Sequence, residues 1–183
     1  MPDETTVTRT KMILFLDFDG VLHPWDPKTQ LSEQQMFSLK PLLENTLRTF
    51  PNVEIVITSS WRQKYSLEKL RHLFSPEFSQ RIIGVTPPSR RDSRGRYPNG
   101  CRGQEILQWL YQNRRNVDQW LALDDLEWMF EPSLRHRLIL CDSTTGLTEQ
   151  KISELEQRLT ELMANSSITT LPTAKSPLQQ EQA

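Results

Sequence analysis

The sequence predicts an α/β fold built on a parallel sheet. Short apolar runs recur along the chain, and stretches of helical period separate them. The runs also lack the apolar–polar alternation of half-solvated strands, so they read as strands buried on both faces. Helices must then cover the sheet on both sides.

Each element follows in order. Residues 1–11 are polar and read as a flexible N-terminus. Run 12–16 (Met-Ile-Leu-Phe-Leu) is the first strand, too short for a core helix. Residues 35–50 keep Met36, Leu39, Leu43 and Leu47 on one helical face. The second strand is 53–57, interrupted only by Glu54, and a helix is expected over 66–74. Run 82–85 is the third strand. Residues 103–113, with Ile106, Leu107 and Leu110, form the next helix, and 120–123 the fourth strand. A short helical stretch at 127–135 leads to a fifth strand at 138–141. The last helix, 148–163, has Thr148 as its N-cap. Two segments break this rhythm. Residues 86–102 carry three prolines, two glycines and five arginines, and a loop of that length inside a compact domain is usually functional or disordered. Residues 164–183 have no aromatic side chain and read as a disordered tail. One domain, 12–163, is expected between the two termini.

Composition narrows the function classes. A chain of 183 residues with net charge -1 carries no global field toward nucleic acid or membrane. Cys101 and Cys141 are too few for a disulfide framework and form no CxxC pair. No apolar stretch approaches the roughly 18 residues of a membrane span, and a cytoplasmic protein is expected.

Chemistry concentrates where strands end. Strand 12–16 runs into Asp17-Phe-Asp19-Gly20. Residues i and i+2 of a strand face the same way, which places Asp17 and Asp19 together at the carboxyl edge, the ligand crevice of open α/β sheets. Two acids there repel unless a divalent cation offsets them or one stays protonated. Gly20 lets the chain turn with φ > 0. The bland alternative is a pair of solvated acids in a turn. Strand 120–123 weakens that alternative, because it ends in a second pair, Asp124-Asp125. The second strand ends in Thr58-Ser59-Ser60-Trp61-Arg62, hydroxyls suited to a phosphoryl oxygen, although helix caps look the same. Arg102 lies just before a helix and offers a cation.

This order of motifs resembles the haloacid dehalogenase (HAD) superfamily of phosphohydrolases over about residues 12–142. Ser59-Ser-Trp-Arg62 with Leu123-Asp-Asp125 further resembles the small HAD domains associated with Swiss Army Knife RNA-repair proteins. The resemblance implies a three-layer Rossmann-like fold without a large cap. It implies a phosphohydrolase cleaving a phosphomonoester, with Asp17 as nucleophile forming an aspartyl-phosphate and Asp19 as acid and base. It also implies Mg²⁺ held by Asp17, the Asp19 carbonyl and Asp124 or Asp125, with Ser59 or Thr58, and Ser60 beside them, binding the phosphoryl group. Arg102 stands where the family has lysine.

Other residues allow two readings. His23 is either a substrate contact or a structural histidine, and Trp25 and Trp61 either wall the pocket or pack. Asp142 is a loop acid or an outer group of the site. Between 81 and 115 eight arginines (81, 90, 91, 94, 96, 102, 114 and 115) face two acids, Asp92 and Glu105. They form a funnel for a polyanion, including a nucleic-acid end, or a solvated loop. The expected partner is a phosphorylated substrate, a small molecule or a nucleic-acid end. The rival function is a non-catalytic HAD-like module that binds phosphate or a partner. A receiver domain fails on order, since the third strand ends without an acid.

Overall fold

A computed structural model describes residues 11–32 and 34–167. Five parallel strands form one sheet: β1 (Met12–Leu16), β2 (Val53–Ile57), β3 (Ile82–Val85), β4 (Trp120–Asp124) and β5 (Leu138–Leu140). Their spatial order is β3-β2-β1-β4-β5. The helices are α1 (Lys40–Arg48), α2 (Leu67–Arg71), α3 (Pro76–Arg81), α4 (Cys101–Gln112) and α5 (Glu149–Ser167). Tight 3₁₀ turns span Ser60–Gln63, Glu127–Met129 and Pro132–Arg137.

The three layers follow from the two-residue period of β1. Met12, Leu14 and Leu16 join a core with Leu43 and Leu47 of α1, Leu70 of α2, Phe78 of α3 and Leu155 and Leu159 of α5. Ile13 and Phe15 point to the opposite face, where Ile106, Trp109 and Leu110 of α4 cover them. Phe15 meets Trp109 and Trp120 edge to face, each at 5.7 Å between centroids. Burying side chains of this size contributes roughly 1.5–3 kcal/mol apiece, which is why an unbroken apolar run becomes the central strand.

Several boundaries differ from expectation. The 35–50 helix begins only at Lys40, because Phe37 is left-handed (φ 57°) and Pro41 sits in the first turn, where a missing N–H costs least. The 66–74 helix stops at Arg71, with Ser66 Oγ capping Lys69 N–H. The short α3, opened by Pro76, was not expected. The 127–135 stretch resolves into two 3₁₀ turns. Arg102 lies inside the first turn of α4 rather than before it. Thr148 caps α5 as expected, its Oγ1 accepting from Lys151 N–H at 3.3 Å. The helix extends to Ser167, so residues 164–167 are helical and not tail. The expected flexible N-terminus falls outside the described residues except for Lys11, and the rest of the expected tail also falls outside them.

The register decides what meets at the carboxyl edge. Leu16 pairs with Ile57 on one side and with Leu123 on the other. Asp17, Thr58 and Asp124 therefore emerge at one level. The order runs outward in opposite directions from β1 and β4, so the crevice between their ends is the switch point at which open sheets bind ligands. No large cap stands over it among the described residues, and none of their helices is long and apolar enough to cross a membrane.

Candidate active site

Asp17 continues β1 past its last strand residue, its N–H donating to the Leu123 carbonyl at 3.0 Å. Its carboxylate accepts from Phe18 N–H at 2.8 Å and is buried. Asp124 closes β4, also buried, with one oxygen accepting from Leu126 N–H at 3.0 Å. Asp125 follows it, half-buried. Carboxylate oxygens of Asp17, Asp124 and Asp125 lie within 4.8 Å of one another. Gly20 makes this approach feasible. It has φ 70°, and a Cβ there would stand 2.4 Å from Asp125 Oδ2.

Burial and charge shape these acids. Burial, reinforced by Asp17, outweighs the pull of Arg102 and pushes the Asp124 carboxyl up to about 7. Burial first, then Asp17, pushes Asp125 up to about 6 against the Ser143 hydroxyl that donates to it. Arg102 is the counter-charge. Its Nη1 lies 3.3 Å from Asp17 Oδ2 and 3.1 Å from Asp124 Oδ2. Burial disfavours its charge, but Asp124, Asp17 and Glu105 together hold its pKa above the ordinary value. Even so, Arg102 Nε and Nη1 and Asp124 Oδ2 are buried without a directed hydrogen bond. Unsatisfied buried groups of this kind are rare and call for a ligand or a function.

These residues fit a divalent cation. Three carboxylates face one guanidinium, an excess of negative charge in a poorly hydrated crevice, and hard oxygen donors suit Mg²⁺. The cation would be held by Asp17, Asp124 and Asp125.

Asp19 parts from Asp17. Its carboxylate is outside the three-acid cluster and instead accepts from Trp61 Nε1–H, 3.1 Å to each oxygen, and from His23 Nε2 at 3.0 Å. His23 is wholly buried. Its Nδ1 accepts from Phe37 N–H at 3.4 Å, so Nε2 carries the proton given to Asp19. His23 is thus a buried histidine bonded to Asp19, and Trp61 both packs and donates to the same carboxylate.

The hydroxyl segment divides too. Thr58 and Ser59 are buried at the sheet edge, whereas Ser60 is exposed on the wall of a cleft. Ser59 caps the 3₁₀ turn, its Oγ accepting from Trp61 N–H at 3.4 Å. Asp142 is a loop acid that caps its own turn through Thr144.

Two residues that bind the edge together had no role assigned from the sequence, although Arg62 stands in the motif Ser59-Ser-Trp-Arg62. The side chain of Arg62 is buried and threads the edge together: Nε donates to the Thr86 carbonyl at 3.0 Å, Nη1 to the Ser59 and Thr58 carbonyls, and Nη2 to Glu105 at 2.7 Å. Glu105 also accepts from Ser89 N–H and stands 3.7 Å from Arg102. It had counted only as an acid within a basic run. That run itself splits. Arg81 and Arg115 lie at the opposite edge of the sheet, bonded to the start of β2. Arg90, Arg91, Arg94 and Arg96 remain exposed on the loop after β3.

The sequence model of one family, described as the HAD domain in Swiss Army Knife RNA repair proteins, matches residues 13–152. No curated protein matches. A solved structure from Bacteroides fragilis, the N-terminal part of protein BF1531 containing a phosphatase domain complexed with Mg, is similar at 14% identity and a TM-score of 0.42. The match covers 85% of this chain but only 40% of that one, and a likeness so slight transfers neither its metal nor its activity.

Proposed function

The chain belongs to the family of HAD domains in Swiss Army Knife RNA repair proteins, and from that premise we propose that it is a magnesium-dependent phosphohydrolase of phosphomonoesters. The observation that carries this reading is the convergence of Asp17, Asp124 and Asp125 on one another beside a buried arginine. A protein that only packed its core would gain nothing from three carboxylates and a guanidinium at one sheet edge.

Asp17 is the nucleophile. Its Oδ2, the oxygen facing Arg102, attacks phosphorus, the ester P–O bond breaks, and the phosphoryl group rests on Asp17 as an acyl phosphate. Asp19 gives the leaving oxygen its proton, then takes one from the water that attacks the acyl phosphate, releasing inorganic phosphate. His23 and Trp61 fix the Asp19 carboxylate apart from the three-acid cluster, so one acid serves proton transfer while the others serve charge. Arg102 stabilises the phosphoryl oxygens, as the family's lysine would. The hydroxyls of Thr58 and Ser59 donate to the same oxygens, and exposed Ser60 serves the outer part of the substrate. Mg²⁺, when bound, neutralises charge on the transferred group. With no large cap, the crevice admits small esters and nucleic-acid ends alike.

The test is hydrolysis of p-nitrophenyl phosphate by the wild type and by Asp17→Asn, with folding checked by circular dichroism. The account predicts a loss on the order of 10⁴-fold in a folded variant. Retained turnover would overturn the nucleophile assignment. Magnesium-dependent stabilisation without hydrolysis of any ester in a broad panel would favour a non-catalytic binding module instead.

A further inference from the structure

We infer that the cleft beside Asp19 is a leaving-group subsite that stacks a flat heteroaromatic ring, so that the preferred ester is a nucleotide rather than a sugar or acyclic alcohol phosphate. The inference rests on the phosphohydrolase reading, because the group that departs must lie next to the acid that protonates it.

The cleft has a volume of about 590 Å³, within the range of small-molecule sites, and Asp19 lies in its lining. Two large aromatic side chains on its walls stay in water: Trp25 and Tyr65 are each 43% exposed, whereas Trp109 and Trp120 in the core are at most 5% exposed. One exposed aromatic is ordinary, but two lining a single cleft that reaches Asp19 are a surface awaiting an apolar, planar partner. The wall behind Tyr65 is fixed. Its ring lies 5.6 Å from that of Trp61, which packs on Phe37 at 5.3 Å and is held by Asp19 through Nε1. The backbone of Trp25 is anchored where its amide N–H donates to the Ser143 carbonyl at 2.6 Å. A ring backed as Tyr65 is by Trp61 loses little entropy when a base stacks on it.

Charge favours the same class of ligand. Lys64 lies on the cleft wall and is exposed, a cation suited to a second phosphate on the leaving nucleoside. The neighbouring Gln63 donates to Tyr97 Oη at 2.8 Å, which ties this wall to the arginine loop, where Arg91 lies over the Tyr97 ring at 4.3 Å. A glycerol or sugar phosphate presents neither an aromatic face nor a second anion to these groups.

The test compares kcat/KM for adenosine monophosphate, adenosine 3′,5′-bisphosphate and glycerol phosphate in the wild type, Trp25→Leu, Tyr65→Leu and Lys64→Gln. Base stacking of this kind predicts a nucleotide preference over glycerol phosphate that falls roughly tenfold in each aromatic variant. Any gain from the second phosphate falls in Lys64→Gln. A separate readout uses Asp17→Asn: quenching of tryptophan fluorescence by adenosine monophosphate, weakened when Trp25→Leu is added. A wild type that treats nucleotide and glycerol phosphate alike, or a preference untouched by both aromatic variants, overturns the subsite. If no ester is turned over, the phosphohydrolase reading fails instead. The fluorescence titration then decides the cleft by itself, with Trp25-dependent quenching upholding a base-binding cleft and its absence refuting one.

Discussion

Arg81 and Arg102 are both arginines placed against the ends of the same sheet, yet they are bonded in opposite ways. At the amino edge, Arg81 donates four hydrogen bonds of 2.7–2.9 Å to the carbonyls of Leu47, Phe50 and Val53, and its guanidinium lies 4.8 Å over the Phe78 ring. At the carboxyl edge, Arg102 stands between Asp17 and Asp124 with Nε and Nη1 lacking any directed hydrogen bond. Arg81 stitches the end of α1 to the start of β2 and satisfies backbone acceptors. Arg102 balances acids and leaves donors to spare. A saturated arginine holds a fold together, whereas an unsaturated buried one awaits a ligand.

The largest effect that tests this contrast is the response of Arg102→Met to magnesium. Without the cation, the variant leaves three acids uncompensated and should lose about 3–5 kcal/mol in urea unfolding. Magnesium should restore most of it. Arg81→Met should lose about 2–4 kcal/mol by stranding backbone carbonyls, and magnesium should restore none of that loss. Equal rescue of both variants would erase the distinction between the two edges.

A smaller effect separates the edges by pH. Asp124 and Asp125 are raised to about 7 and about 6, so the folded chain holds protons that the unfolded chain has released. Their contribution is full below the ordinary carboxylate range, near pH 4, and is lost as pH rises through 6 and 7. In EDTA, stability should therefore fall by about 1–2 kcal/mol between pH 5 and 8, a figure discounted for the partial exposure of Asp125. Asp124→Asn should flatten the slope, and substitutions at Arg81 should leave it intact. Thermal unfolding across that range in the presence of EDTA is the measurement.

What the sequence made legible depended on how local each signal was. All five strands were readable as short, mostly apolar runs, with the central β1 and β4 buried on both faces. The helix α3 was not, since its six residues are too few for a 3.6-residue period to register. The shortened α1 reflects a left-handed Phe37, a conformation that an apolar stripe does not encode. At the site, Asp17, Asp124 and Asp125 were found because strand-end acids are a local pattern. The pairing of Arg62 with Glu105 was missed because it spans 43 residues and is made only by the fold. The parting of Asp19 from Asp17 was missed for a related reason. Alternation along a strand predicts one shared direction, but β1 ends at Leu16, and His23 and Trp61 draw Asp19 aside.

The central claim is that Asp17 and the Asp124-Asp125 pair jointly hold one divalent cation. The most direct test is the melting temperature as magnesium is titrated into the wild type and into Asp124→Asn. The account predicts a saturable rise of several degrees in the wild type, in keeping with ligand-linked stabilisation, and little or none in the variant. A rise of equal size and midpoint in both proteins would contradict it.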